Sequence, residues 1–228
     1  MSVGRGARLL GVVGAVVCVW GLGSAAAVAA PAFAPVKGSP FSTGNGSESV
    51  AFSPTGKLLA TANFGASTVS VFSVNATTGA LTSDGSFSTG SGSSTAAVAF
   101  SPTGGLLATA NGSSVSVFSV NATTGALTSD GSSSTGSGSE SVAFSPTGGL
   151  LATANGGNDT VSAFSVNATT GALTSPGSTG TGNGSEPTSV AFSPTGGLLA
   201  TADYDSDAVS VFSVNATTGA LTSDGSSS

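Results

Sequence analysis

Histidine is absent from the 228 residues, and only four cations, Arg5, Arg8, Lys37 and Lys57, stand beside ten carboxylates. Without imidazole the chain lacks the commonest general base and the commonest metal ligand together. Four cations cannot neutralise a nucleic-acid backbone, so nucleic acid is excluded as a partner of the electrostatic kind. Cys18 is the single cysteine, which rules out an intrachain disulfide. Charged residues make up only 6% of the chain while 39% are hydrophobic. That balance opposes disorder, which needs high net charge and low hydrophobicity. Beyond the first thirty residues, no stretch of ten or more repeats its apolar residues at helical spacing, so helical folds are excluded as well.

What is present begins with a leader. Arg5 and Arg8 precede a continuous apolar run from Leu9 to Trp20, and Ser24 to Ala34 is nearly all alanine. This is the order of a secretory signal, here assigned to residues 1–29, with cleavage after Ala27-Val28-Ala29 and a short linker over 30–36. The alternative is an uncleaved anchor, since Leu9 to Ala30 covers about 22 residues and a bilayer core is about 30 Å thick. Its Gly and Ala content weakens that alternative. Cys18 follows Val17, where a lipoprotein signal needs a small residue. The expected location is secreted or extracellular, and the mature chain then carries no cysteine.

From residue 37 onward one unit is written four times. Val50-Ala-Phe-Ser-Pro-Thr-Gly56 recurs at Val98, Val142 and Val190, each copy followed by Leu-Leu-Ala-Thr-Ala. Phe-Ser-Val-Asn-Ala-Thr-Thr-Gly-Ala-Leu-Thr-Ser starts at Phe72, Phe118, Phe164 and Phe212, at spacings of 46, 46 and 48. Each unit reads as four short strands, which in the first copy are Ser49 to Ser53, Leu58 to Asn63, Val69 to Val74 and Ala80 to about Phe87. Ser53-Pro54-Thr55-Gly56 has Pro and Gly where a type I turn favours them, and Gly79 is free to take a positive φ in the next turn. Val69 and Val71 point to one face, Phe72 and Val74 to the other, so both faces of the sheet need cover. Four antiparallel strands in about 46 residues is the size of one propeller blade. The expected architecture is all-β, a β-propeller with blades at about 49–90, 97–136, 141–182 and 189–228. A β-solenoid is the runner-up, and it has no need of two reversals per repeat.

Val-Ala-Phe-Ser-Pro-Thr-Gly, Leu-Leu-Ala-Thr-Ala-Asn and Val-Ser-Val-Phe-Ser-Val together resemble the repeats of bacterial lactonase-like β-propellers, of the phosphogluconolactonase and YVTN types. The resemblance covers residues 37–228. It implies a ring of about seven blades, with some members hydrolysing sugar lactones through polar groups in a central channel. This chain departs from that pattern, because after the leader it has neither His nor Arg and so no guanidinium clamp for a phosphosugar. It also has four full repeats, plus a leading segment, Lys37 to Thr43, that looks like the fourth strand of an earlier blade. A truncated gene product, several chains completing a larger ring as a homo-oligomer, and an open arc all remain as expectations.

Any asymmetric function must sit where the copies differ, and they differ most between the second and third strands. Binding residues are often carried on such loops over a rigid scaffold. The candidates are Asn63 and Phe64 in the first copy, Asn155 and Asp159 in the third, and Asp203, Tyr204, Asp205 and Asp207 in the fourth. Alternating Asp203, Asp205 and Asp207 invite a calcium reading, but Ala208 and Val214 stand where an EF-hand loop needs Gly and Glu. No metal and no cofactor are expected. Glu48, Glu140 and Glu186 precede the first strand in three copies and could ring a channel mouth, with solvated loop positions as the plainer reading. Eight Asn-x-Ser/Thr sequons, at Asn45, Asn75, Asn111, Asn121, Asn158, Asn167, Asn183 and Asn215, follow largely from copying one Ser/Thr-rich repeat. The chain reads as a non-catalytic binding or scaffold module whose partner is an extracellular glycan, small molecule or protein, with a lactonase-type hydrolase or an inactive fragment as alternatives.

Overall fold

In the first repeat, β-branched and aromatic residues alternate with serine and threonine and fold into strands β1 (Ser47–Phe52), β2 (Leu58–Asn63), β3 (Thr68–Val74) and β4 (Leu81–Ser88). They pair antiparallel in the order β1-β2-β3-β4. The computed structural model describes residues 34–90 and 94–227; the leader expected over residues 1–29 lies outside the described residues. The first strand begins two residues earlier than the sequence implies, because Ser47 pairs with Asn63 beyond a register shift at Ser47/Ser49.

The turns form as their residues dictate. Gly56 N–H donates to the Ser53 carbonyl at 2.8 Å with φ of 68°, and Ser53 Oγ takes the Leu58 N–H at 3.0 Å. A bulge between β3 and β4 sets Val71 opposite Gly85 and Phe72 opposite Ser83, leaving Asp84 as the extra residue. Its carboxyl accepts from Ser73 Oγ at 2.8 Å.

The second and third repeats share one six-stranded sheet made of β5 (Thr95–Phe100), β6 (Leu106–Val120), β7 (Leu127–Phe144), β8 (Leu150–Asn155), β9 (Thr160–Val166) and β10 (Leu173–Gly180). The strand β7 is long because it closes one repeat and opens the next, pairing first with β6 and then with β8. Within β6 the chain doubles back, and Val120 N–H donates to the Gly105 carbonyl at 2.9 Å as Val74 does to Lys57 in the first repeat. The fourth repeat is again a separate sheet, β11 (Pro187–Phe192), β12 (Leu198–Asp203), β13 (Ala208–Val214) and β14 (Leu221–Ser227).

The core lies between repeats. Leu58, Ala60, Ala62, Val69 and Val71 of the first pack on Val98, Leu107 and Phe118 of the second. Ala108, Ala110, Val115 and Val117 of the second pack on Val142, Leu151 and Phe164 of the third. Ala152, Ala154 and Val161 of the third pack on Val190, Leu199 and Phe212 of the fourth. Phe118 therefore faces backward and Val115 and Val117 forward, which is why each sheet needs a neighbour on both sides. The result is an all-β row of propeller blades that does not close on itself.

Candidate functional site

Asn63, Asn155 and Asp203 end the second strand of their blades and are buried, not displayed on a loop. Asn155 Oδ1 accepts from Ser139 Oγ at 2.7 Å and Thr153 Oγ1 at 2.9 Å, while its Nδ2 donates to Thr160 Oγ1 and Ser162 Oγ at 3.2 and 2.9 Å. Asn63 repeats the pattern with Ser47, Thr61, Thr68 and Ser70. Asp203 takes Thr201 Oγ1 at 2.7 Å and Ser210 Oγ at 2.6 Å. A further hydroxyl from the preceding blade joins the Asn155 chain, Thr135 to Ser139 at 2.6 Å, whereas the Asp203 chain meets the preceding blade through the Thr181 carbonyl, which accepts from Ser210 Oγ at 3.1 Å. These bonds tie three strands together inside the blade. The sequence signal was the Thr-Ala-Asn/Asp triplet, whose Thr and Asn lie two apart and so share a face.

The remaining candidates lie at the surface. Phe64 opens a short 3₁₀ turn in the first blade and is 44% exposed. In the third blade Asp159, at φ of 56°, closes the matching turn, and its carboxyl reaches across to the fourth blade. Asp159 Oδ2 accepts the Gly184 N–H at 2.7 Å and Oδ1 the Glu186 N–H at 2.9 Å. Those two amides, Glu186 first, hold the Asp159 carboxyl below the ordinary carboxylate range.

Glu186 is the hub of this junction. Its carbonyl receives the Tyr204 N–H at 3.0 Å, and the Ser185 carbonyl receives the Asp205 N–H at 3.2 Å. Its side chain shares a hydrogen bond with Asp205, and that bond together with the Asp205 charge pushes the Glu186 carboxyl up; Glu140 and Asp159 add to the push. A methyl group on Gly156 would sit 3.3 Å from Glu186 Cγ and 3.7 Å from Glu140 Oε1, so both glutamates border the same small residue. Tyr204 stands beside them, 70% exposed, and Asp207 closes the loop at φ of 51°. Asp203 and Asp205 thus part company, one buried and one at the junction. Among the described residues no group of three or more His, Cys, Asp or Glu is arranged to hold a metal ion.

The three glutamates do not form a repeated ring. Glu48 and Glu140 follow Ser47 and Ser139, the residues opposite Asn63 and Asn155, where the fourth blade has Thr188 after Pro187, and Glu186 lies two residues earlier, just before β11. A cleft of 420 Å³, lined by Lys57, Ser73 and Thr123 among others, lies between the first and second blades, away from the carboxyl junction.

The blade geometry, four antiparallel strands with the core between successive sheets, agrees with the comparison to known families. Residues 26–144 and 129–228 match the family described as Lactonase, 7-bladed beta-propeller. The chain belongs to this lactonase propeller family. None of the curated proteins matches it in sequence. Among solved structures it is similar to a protein from Bacteroides uniformis provisionally named a 6-phosphogluconolactonase, with 24% identity, a TM-score of 0.71, and coverage of 78% of this chain and 53% of that one. A counterpart from Bacteroides fragilis, provisionally named likewise, gives 26%, 0.68, 78% and 53%. The periplasmic gluconolactonase of Pseudomonas aeruginosa gives 24%, 0.68, 79% and 53%. The chain therefore spans about half the length of these relatives.

Proposed function

We propose that this lactonase-family propeller is an exported, non-catalytic binding module for a neutral polyhydroxylated ligand such as a glycan, held at the junction of the third and fourth blades. The observation that carries the reading is that Tyr204, 70% exposed, donates its N–H to the Glu186 carbonyl at 3.0 Å while the Glu186 side chain pairs with Asp205, so that an aromatic residue and two carboxyls share one loop junction. An aromatic face packs on the C–H face of a sugar ring while carboxyl oxygens take its hydroxyl protons. A net charge of −6 and the lack of Arg after the leader disfavour phosphorylated or acidic sugars. The leader supplies the export half of the proposal. Isothermal titration against a panel of neutral oligosaccharides tests it: saturable binding lost in Tyr204→Ala and Asp205→Asn supports the reading. Binding that survives both variants overturns it.

A second reading, lactone hydrolysis, draws on the family and on the same carboxyl pair. A carboxyl pushed above its ordinary range, as Glu186 is beside Asp205, is a usual part of acid–base chemistry. Turnover of sugar or aliphatic lactones that disappears in Glu186→Gln would favour this reading over the binding module.

A further inference from the structure

Among the described residues, four large apolar side chains of the strands are exposed, and they fall on two faces. Val50 and Phe52, each 61% exposed, lie on the outer face of the first blade, and Leu198 and Val209, at 45% and 46%, lie on the outer face of the fourth. The counterparts of three of them are covered in the other repeats, and those of Phe52, which are Phe100, Phe144 and Phe192, are half-buried. Val98, Val142 and Val190 are 6–8% exposed, Leu58, Leu106 and Leu150 3–4%, and Val69, Val115 and Val161 fully buried. The residues are the same and only the neighbour differs.

We propose that these two faces are the halves of one more blade–blade interface, filled by a second copy of this chain docked head to tail. Each internal interface joins a Leu/Ala/Val forward face to a Val/Leu/Phe backward face. The fourth blade offers Leu198, Ala200, Val209 and Val211, and the first offers Val50, Phe52 and Leu59. Polar features match as well. Ser49 Oγ accepts the Val98 N–H at 3.3 Å and Ser141 Oγ accepts the Val190 N–H at 3.2 Å, each across an interface. Ser189 holds the same position in the fourth blade and is exposed, ready for the Val50 N–H of a second copy. The proline turns also stack. Pro54 stands 3.3 Å from where a Cβ on Gly104 would lie, Pro102 likewise at Gly148, and Pro146 at 3.5 Å from the Cβ place on Gly196. Around Gly56 that place is open, while Pro194 of the fourth blade is exposed.

One segment must yield. Val36 Cγ2 lies 2.9 Å from the Cβ place on Gly79, which in the second and third blades faces Asp84 and Asp130 of the preceding blade. The leading residues thus stand where β14 of the incoming copy would lie. Residues 34–46 form no strand, so they can swing out about Gly44 and Gly46. Two equivalent contacts then close a ring of eight blades. That narrows the wedge per blade from about 51° in a seven-bladed ring to about 45°, within the four to eight blades that propellers adopt.

The test is sedimentation of the full chain with Phe52→Asp and Val209→Asp, alone and mixed. Both positions are exposed in the monomer, so circular dichroism should match the parent chain, and unfolding midpoints should match it at concentrations low enough for the parent to be monomeric. A concentration-dependent dimer is expected for the parent. Each variant, by burying an unpaired carboxylate in the contact, should weaken self-association at least about 100-fold. Because the contact joins unlike faces, an equimolar mixture of the two variants should recover a 1:1 complex through its one unspoiled interface. A parent that stays monomeric, variants that still dimerise, or a mixture that does not recombine would each overturn the proposal, and open-ended growth would overturn the closed ring.

Discussion

Thr153 donates its hydroxyl proton to Asn155 Oδ1 at 2.9 Å inside the third blade. The same residue pair in the second blade, Thr109 and Asn111, has no such bond: Thr109 Oγ1 and Asn111 Oδ1 are both buried without a protein partner. Here the reversal between second and third strands is two residues shorter, so Asn111 Nδ2 meets Ser116 five positions on, where Asn155 meets Ser162 seven on. Thr95, the residue opposite Asn111, has its hydroxyl engaged with that of Thr89 at 2.5 Å. A buried unpaired hydroxyl costs about 1–3 kcal/mol. Thr109→Val is therefore expected to leave stability unchanged or raise it by about 1 kcal/mol, whereas Thr153→Val should lower it by about 1 kcal/mol. Urea titration of the two variants decides, and equal losses would show that the orphaned pair carries no cost.

Asp203 is a second place where one copy departs from the others. Ser210 has a single hydroxyl proton, and its Oγ lies 2.6 Å from Asp203 Oδ2 and 3.1 Å from the Thr181 carbonyl, two acceptors for one donor. An amide at position 203 would donate to Ser210 Oγ, freeing that proton for Thr181, and would restore the pattern of Asn63 and Asn155. Asp203→Asn should hold or raise the unfolding midpoint, by up to about 1 kcal/mol, and should leave ligand binding untouched where Tyr204→Ala removes it. A large loss of binding in Asp203→Asn would place that carboxyl in the site after all.

The blade could be read from the sequence because each strand carries its own period and each turn its own punctuation. Leu58–Asn63 is the second strand in both readings, and the Pro54-Thr55-Gly56 reversal forms the hydrogen bond its residues imply. The site was less legible. Asn63, Asn155 and Asp203 look like loop residues by type, and only their alternation with Thr61, Thr153 and Thr201 marks them as inward-facing. Glu186 was visible as a glutamate ahead of a strand. Its pairing with Asp205 was not, since it depends on a left-handed backbone at Glu186, φ of 46°, and on a connection that crosses between blades.

The Asn-Ala-Thr-Thr-Gly turns give a prediction that repeats in each blade. Asn121 Oδ1 accepts the Thr123 and Thr124 N–H groups at 3.0 and 3.1 Å, and Asn75, Asn167 and Asn215 do the same in their turns. This is the bonding of a helix cap applied to a hairpin turn, and removing it costs about 1 kcal/mol. Asn121→Ala should cost that much, Asn121→Asp almost nothing, because aspartate keeps the acceptor. The four turns share no bonds, so substituting all four asparagines by alanine should add up to about 4 kcal/mol. Thermal unfolding of the single and fourfold variants measures both, and a fourfold loss no larger than the single one would reject independent turns.

The carboxyl junction predicts how stability follows pH, with opposite signs at its two ends. Asp159 is held below the ordinary carboxylate range by the Glu186 and Gly184 amides. Its stabilisation is complete above the unfolded-state value and is lost as pH falls through the folded one, so it acts on the acid side. Glu186 is raised, first by its hydrogen bond with Asp205 and then by that residue's charge. Its contribution is complete below the ordinary glutamate value and is lost as pH rises through the folded value. Stability should therefore fall on both sides of the mildly acid range, for different reasons. Unfolding midpoints recorded from about pH 2 to about pH 8 should show Asp159→Asn flattening the acid limb alone, since an amide cannot gain the proton. Glu186→Gln should flatten the decline toward neutrality, because glutamine still donates to Asp205 and has no proton to lose. If the Glu186→Gln curve runs parallel to that of the parent chain, the shared hydrogen bond does not control the junction.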